Sequence, residues 1–231
     1  MKILAIDTGM PSGSIAILED DSLIAECMPC AEKTHAEKLL PSIDSILKSS
    51  GIRLNDIDCF AVTIGPGSFT GLRIGISTVK GFAWCLKKPV VGVSTLKTLA
   101  MNILHSDKLI CPILDARKEE IYAGIYKREE ETLTAEKDDC VIKPCELVKH
   151  LNRQTIFLGG GIKIYGDVIK SELGDNAVFA PHDLWHIRAS NIAKLALREV
   201  EKGNIQSPET IVPYYIRRSE AETKLKQFIL T

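Results

Sequence analysis

Gly65-Pro66-Gly67-Ser68-Phe69-Thr70-Gly71 is the stretch of this sequence whose residue types and spacing could do chemistry. Three glycines in seven residues let the backbone come very near another group, and a helix starting straight after them offers unpaired N–H groups and a positive dipole end. That combination suits a phosphate-like anion or, equally, a second backbone packed very close. The standard nucleotide fingerprints are not met. Gly65-x-Gly67 is followed by Gly71, one residue later than the dinucleotide pattern asks, and no Gly-Lys-Ser/Thr follows as in a Walker A loop. Ser68 is not on a serine-hydrolase elbow either, because Pro66 and Thr70 stand where that motif needs glycines.

Other residues offer weaker chemistry. Asp7 and Asp115 each close an apolar strand and could position a metal–phosphate group, although a lone aspartate more often caps a turn. Cys27-x-x-Cys30 is a single pair, and Cys140 and Cys145 are spaced more loosely, so small apolar side chains are the better reading than a zinc site. His182 and His186 are four apart but follow Pro181, off any convincing helix, and no His-Glu-x-x-His protease signature is present. No metal site is expected.

These residues need elements to hold them. Residues 2–7, 14–18 and 23–28 read as three short strands joined by tight turns, an antiparallel meander. A helix begins at Thr34, three residues before Glu37 as in a capping box, and runs to Gly51. Its apolar stripe, His35, Leu39, Leu40, Ile43, Ile46 and Leu47, is wider than one core contact needs, and Pro41 predicts a bend near Glu37–Leu40. Phe60–Ile64 is a buried strand leading into the glycine turn and a helix from about Thr70. Pro89–Val93 is another strand, and Ser94 or Thr95 caps a helix to about Leu104. Along the second helix Gly71, Gly75 and Thr78 present small residues on one face. Glycine inside a helix costs about 1 kcal/mol relative to alanine, so Gly75 serves packing, either in the core or against another subunit.

A polar break at Ser106–Lys108 divides the chain into residues 1–106 and a smaller part, 107–231, with the helix at 189–202 expected to pack back on the first part. The second part starts as the first does: a strand (Leu109–Leu114), an aspartate, a second strand (Ile121–Lys127) and a charged hairpin tip, Arg128–Glu131. Thr155–Leu158 is a later strand, followed by Gly159-Gly160-Gly161, with Gly160 a further candidate phosphate contact, and a helix to Leu173. From Ser207 the tail, with Pro208, Pro213 and Tyr214-Tyr215-Ile216-Arg217-Arg218, is irregular. The halves thus repeat a pattern, not a sequence.

Composition sets the class. With 231 residues, 45% hydrophobic and 26% charged, the chain can form one large domain or two small ones. Its apolar runs are far shorter than the ~18 residues a membrane helix needs. Met1-Lys2 leads straight into Ile3–Ile6 and Asp7, which lacks a signal-peptide core, and seven cysteines then suggest reduced thiols in a cytoplasm. A formal net charge of -1 gives no global electrostatic footprint for nucleic acid.

Taken together, these residues resemble the TsaB (YeaZ) family, the partner subunit of TsaD in bacterial tRNA threonylcarbamoyladenosine synthesis. The likeness covers nearly the whole chain. Its marks are Ile3-Leu-Ala-Ile-Asp7-Thr8, His35-Ala-Glu-Lys-Leu-Leu-Pro41, Gly65-Pro-Gly-Ser-Phe-Thr-Gly-Leu-Arg-Ile-Gly75, Gly92-Val-Ser-Thr-Leu96, Asp115-Ala-Arg117 with Glu120 and Tyr122, and Pro213-Tyr-Tyr-Ile-Arg217. The resemblance implies a two-domain actin-like ATPase (ASKHA, RNase H-like) α/β fold, each domain a mixed sheet flanked by helices. It also implies a non-catalytic activating subunit of the complex that modifies the adenosine next to the anticodon of tRNAs reading codons that start with A. TsaD and the ATPase TsaE would be its partners, and tRNA would be met through the complex. No intrinsic cofactor is implied, with ATP or ADP entering at the level of the complex.

In TsaD a His-x-x-x-His pair after a Gly-Val-Asn turn holds the metal. The matching positions here are Thr95 and Leu99, which cannot replace imidazoles as ligands. Where the family usually reads Ile-Asp-Thr-Ser, this chain has Gly9, which alters a phosphate contact. Asp7, Thr8, Gly65, Gly67, Ser68, Asp115 and Gly160 are therefore candidate, vestigial nucleotide contacts. The expected partner surface is His35, Leu39, Leu40, Ile43, Leu47, Gly71, Arg73, Gly75 and Thr78, and a free chain is expected to pair with itself through the same helices. The rival reading is a stand-alone small-molecule kinase or ATPase of the same fold. A protease is the weakest reading, since its signatures are missing.

Overall fold

The computed structural model describes residues 1–29, 35–130 and 132–217, with the backbone but not the side chain of His35. Two five-stranded sheets carry the chain, and they have one topology used twice. In the first, β1 (Lys2–Asp7), β2 (Ser14–Glu19) and β3 (Ser22–Cys27) form an antiparallel meander. After α1 (His35–Ser50), strand β4 (Cys59–Gly65) joins β1 in parallel, Ile3 opposite Cys59 and Ile6 opposite Val62. Helix α2 (Phe69–Leu86) then carries the chain to β5 (Val90–Ser94), parallel to β4, and α3 (Thr95–Ala100) ends the half.

The second sheet repeats each step. β6 (Leu109–Asp115), β7 (Ile121–Glu129) and β8 (Thr132–Ile142) form the meander, and the short α4 (Pro144–Leu147) follows. β9 (Thr155–Leu158) pairs in parallel with β6, α5 (Ile162–Leu173) crosses over, and β10 (Ala177–Phe179) is parallel to β9. Last comes α6 (Ala189–Glu201).

Alternation along β1 divides the first core. Leu4 and Ile6 face α1 and α2, joining Leu39, Ile43, Ile46, Phe60, Ile76 and Val79. Ile3 and Ala5 face the other way and pack with Ile192, Ala193 and Ala196 of α6. That cluster continues into Ile110, Leu114 and Tyr126 of the second sheet, so one core joins both halves. Polar contacts reinforce the join. Glu26 on β3 receives the Ser190 N–H at the start of α6 at 2.8 Å and pairs with Arg188 at 2.9 Å. Asp139 on β8 accepts hydrogen bonds from Ser94 at the end of β5 and from Tyr126.

Several elements depart from the reading of the sequence. α3 stops at Ala100, not Leu104. β8, β10 and α4 are too short or too little buried to stand out in the sequence; β8 is an edge strand whose Glu136 and Asp138 are exposed, charge being the usual guard of a free edge. α1 runs through Pro41, as its periodicity predicts. The capping box at Thr34 and the pairing of Cys27 with Cys30 fall outside the described residues.

Candidate functional site

The glycine turn faces its own chain. Gly65 has φ +132°, which only glycine adopts easily, and a Cβ there would stand 2.5 Å from the Tyr214 carbonyl oxygen. A Cβ on Gly67 would stand 2.8 Å from Gly9 O. At Gly71 it would overlap the Thr8 carbonyl, and at Gly75 the Thr8 hydroxyl. Close backbone packing, one of the two roles open to such a turn, is present here, and the backbone is that of the β1–β2 turn and the tail.

Polar groups at this corner are likewise engaged within the chain. Ser68 N–H donates to Gly9 O at 2.8 Å, and Ser68 Oγ caps α2 by accepting from Gly71 N–H at 3.2 Å. Thr8 Oγ1 donates to Gly71 O at 2.7 Å in a buried setting. Asp7, 1% exposed, accepts from Gly9 N–H at 3.1 Å, from Met10 N–H at 3.3 Å and from the Thr63 hydroxyl. The candidate phosphate contacts Asp7, Thr8, Gly65, Gly67 and Ser68 are thus brought together, but as a turn that ties β1, β4 and α2. Asp115 and Gly160 lie in the second half. Asp115 is exposed and accepts from Arg117 N–H at 2.8 Å and Tyr165 O–H at 3.0 Å, while the space around Gly160 is open.

The tail covers the first corner and reaches the second. Ile211 is fully buried, and Tyr214 N–H donates to Ile64 O at 2.8 Å. Tyr215 stacks on Phe69 with centroids 4.9 Å apart, and Arg73 lies 3.8 Å over the Phe69 ring while donating to Tyr215 Oη at 3.0 Å. Arg217 closes the strap on the β6–β7 turn, donating to Ala116 O and pairing with Glu120.

The residues expected at the partner surface differ in how far they are exposed. Leu39, Ile43 and Leu47 of α1 are buried in the chain's own core. Gly71 and Gly75 are spent on Thr8, and Arg73 holds the tail. Thr78 is half-buried, its hydroxyl donating to Ile74 O at 2.9 Å. Leu40 alone of the described side chains in that set is a large apolar group facing out, 54% exposed. A different stripe of α2 faces solvent: Ser77, Gly81 and Trp84, the last 62% exposed. The space around Gly81 is open, so nothing inside this chain requires a glycine there. Ser77 and Gly81, like Gly71 and Gly75, are four residues apart and so share a helix face. What the sequence lacked was which stripe β1 would cover.

Two of the thiols and the positions Thr95 and Leu99 are deeply buried. Burial pushes the Cys59 thiol up to about 12 and raises Cys111 as well. Among the described residues no cluster of three His, Cys, Asp or Glu side chains could hold a metal, and no helix is long and apolar enough to cross a membrane.

The two sheets, flanked by helices and repeated, define the actin-like α/β class. Component A of (R)-2-hydroxyglutaryl-CoA dehydratase from Acidaminococcus fermentans shares that fold, at a TM-score of 0.51 and 13% identity. Residues 29–225 match the family described as TsaD: tRNA N6-adenosine threonylcarbamoyltransferase. Nearer relatives are the tRNA threonylcarbamoyladenosine biosynthesis proteins TsaB of Bacillus subtilis (strain 168), 34% identical with 97% of both chains covered, and of Escherichia coli (strain K12), 32% identical with 97% of this chain and 98% of that one covered. A solved structure of YeaZ from Pseudomonas aeruginosa superposes at a TM-score of 0.76, with 26% identity over 93% of this chain and 100% of that one. The chain belongs to the TsaB (YeaZ) family.

Proposed function

We propose that this chain is a non-catalytic, activating subunit in the synthesis of threonylcarbamoyladenosine on tRNA, working by pairing with a TsaD-type transferase. The relatives' names supply the pathway, and the matched family is described as a tRNA N6-adenosine threonylcarbamoyltransferase. One observation carries the subunit role. The turn that could have cradled a phosphate is filled by the chain's own backbone, while the same helix turns Ser77, Gly81 and Trp84 to solvent. Small residues at helical spacing let a second helix approach closely, and a tryptophan at the end of such a stripe is a strong anchor for a partner. Leu40 on α1 is a second exposed large apolar side chain in the same half. TsaE and ATP belong, in this reading, to the assembled complex.

The kinase rival loses support from the same geometry, because Asp7, Gly65 and Gly67 are occupied within the fold. Reconstitution decides between the two. TsaD with its companion proteins should modify tRNA when this chain is present and lose that activity when it is left out. Turnover of ATP by the purified chain with a sugar or acyl acceptor would contradict the proposal.

A further inference from the structure

Helix α5 is the second half's counterpart of α2, crossing between two parallel strands of its sheet. Its inner face is covered: Ile162 and Ile169 pack with Phe157 in one cluster, and Gly166 is buried beside them. Its outer face carries Ile164 and Val168, four residues apart and so neighbours on the helix surface. They are 58% and 45% exposed, and among the described residues of 107–203 no other large apolar side chain is exposed.

The tail leads towards that face. Arg217, the last described residue, donates to Ala116 O and pairs with Glu120 on the β6–β7 turn. Asp115, next to Ala116, accepts from Tyr165 O–H at 3.0 Å, and Tyr165 lies between Ile164 and Val168 in the first turns of α5. Residues 218–231 follow Arg217 in the sequence. The eight from Arg218 to Leu225 reach at most about 28 Å when extended, enough for a surface on the far side of Asp115 and Tyr165. The sequence of this stretch has a matching pattern. Ser219 and Glu222 have capping-box spacing, and Glu220 with Lys224 and Glu222 with Lys226 are opposite charges four apart. Ala221, Leu225, Phe228 and Ile229 recur at the i, i+4, i+7 and i+8 spacing of one helical face. So short a helix is marginal in water unless its apolar face is covered.

We propose that residues 219–230 dock as an amphipathic helix on the outer face of α5, with Leu225, Phe228 and Ile229 over Ile164 and Val168. The end of the chain then covers the exposed apolar pair of its own second half. Arg217 is the anchor that delivers the segment, since its contacts fix the chain at the β6–β7 turn beside Asp115. The face lies in the other half from Ser77, Gly81 and Trp84, so this docking stands independently of the partner surface on α2.

The test is limited trypsin digestion of the full chain, with cleavage at Lys224 and Lys226 followed by mass spectrometry and melting curves to confirm the fold. Val168→Glu places a charge at an exposed helix position, and Phe228→Asp alters the segment alone. Each should speed cleavage at the two lysines at least roughly tenfold, because proteolysis follows the population of the undocked segment. The double variant should be cleaved no faster than either single one, since both break the same contact. Cleavage of the parent as fast as that of the variants would overturn the proposal, and so would acceleration by only one of the two substitutions. Protection that disappears on dilution in step with a dimer in sedimentation would seat the segment on a second copy and overturn it. Weaker binding of Val168→Glu to a TsaD-type protein, with tail cleavage unchanged, would give the face to that partner and overturn it as well.

Discussion

The β4–α2 corner and the β9–α5 corner are the same piece of architecture built twice, and they have been finished differently. In both, a parallel strand ends in a glycine turn beside the aspartate that closes the first strand of its sheet. In both, a glycine at positive φ lets a carbonyl come close: Tyr214 O against Gly65, and Ile113 O against Gly159 at φ +101°. The first corner is then closed. Asp7 is buried, Thr8 is bonded to α2, and the tail lies across the turn. The second corner keeps Asp115 exposed and Gly160 open. A glycine-rich strand–turn–helix is thus a means of bringing backbones together, and what it brings together depends on its neighbours.

Paired substitutions test this difference. Gly71→Val should destabilise the protein by more than about 3 kcal/mol, since the added carbons overlap the Thr8 carbonyl and the Thr8–Gly71 hydrogen bond is lost. Gly160→Ala, where space is open, should stay within about 0.5 kcal/mol in denaturant titration. Equal effects at the two positions would remove the distinction. Next in size, Asp7→Ala should cost about 3 kcal/mol by leaving buried donors unpaired, while Asp115→Ala should cost under about 1 kcal/mol.

The join between the halves has its own pH signature. Burial pushes the Glu26 carboxyl up, but the Ser190 N–H, the Arg188 guanidinium and the Ser190 hydroxyl together outweigh it, and the net pKa lies below the ordinary 4.5. A carboxyl with a lowered folded-state value contributes stability above its unfolded pKa and loses it as pH falls through the folded value. Glu26→Gln should therefore lower stability by about 2 kcal/mol at neutral pH and by progressively less as pH falls below 4.5 and through the lowered folded-state value. A constant difference across that range would mean the carboxylate charge contributes nothing.

Much of the fold is legible in the residues because burial writes itself as periodicity. β1, β4 and β6 are apolar runs closed by Asp7, Gly65 and Asp115, and α5 and α6 carry helical stripes that end near glycines. Even the repeat of the two halves shows as strand, aspartate and hairpin. β8 does not show, because an edge strand buries little and its charges mimic a loop. Within the candidate site, Asp7, Thr8, Gly65, Gly67 and Ser68 meet at one corner while Asp115 and Gly160 lie at the other, a separation that follows from the repeat of the two halves. Spacing reveals that Gly71 and Gly75 share a face. It does not reveal that Thr8, more than sixty positions earlier, is what that face meets. The exposure of Ser77, Gly81 and Trp84 is hidden for the same reason, since a stripe counts as free only once the other one is covered.

The account turns on which face of α2 meets a partner. Gly81→Leu enters open space, so the chain should keep its melting temperature, and its affinity for a TsaD-type protein, measured by titration calorimetry, should fall at least roughly tenfold, the loss of about 1.4 kcal/mol that a blocked close helix contact implies. Unchanged affinity with Gly81→Leu would contradict the assignment of this face to the partner.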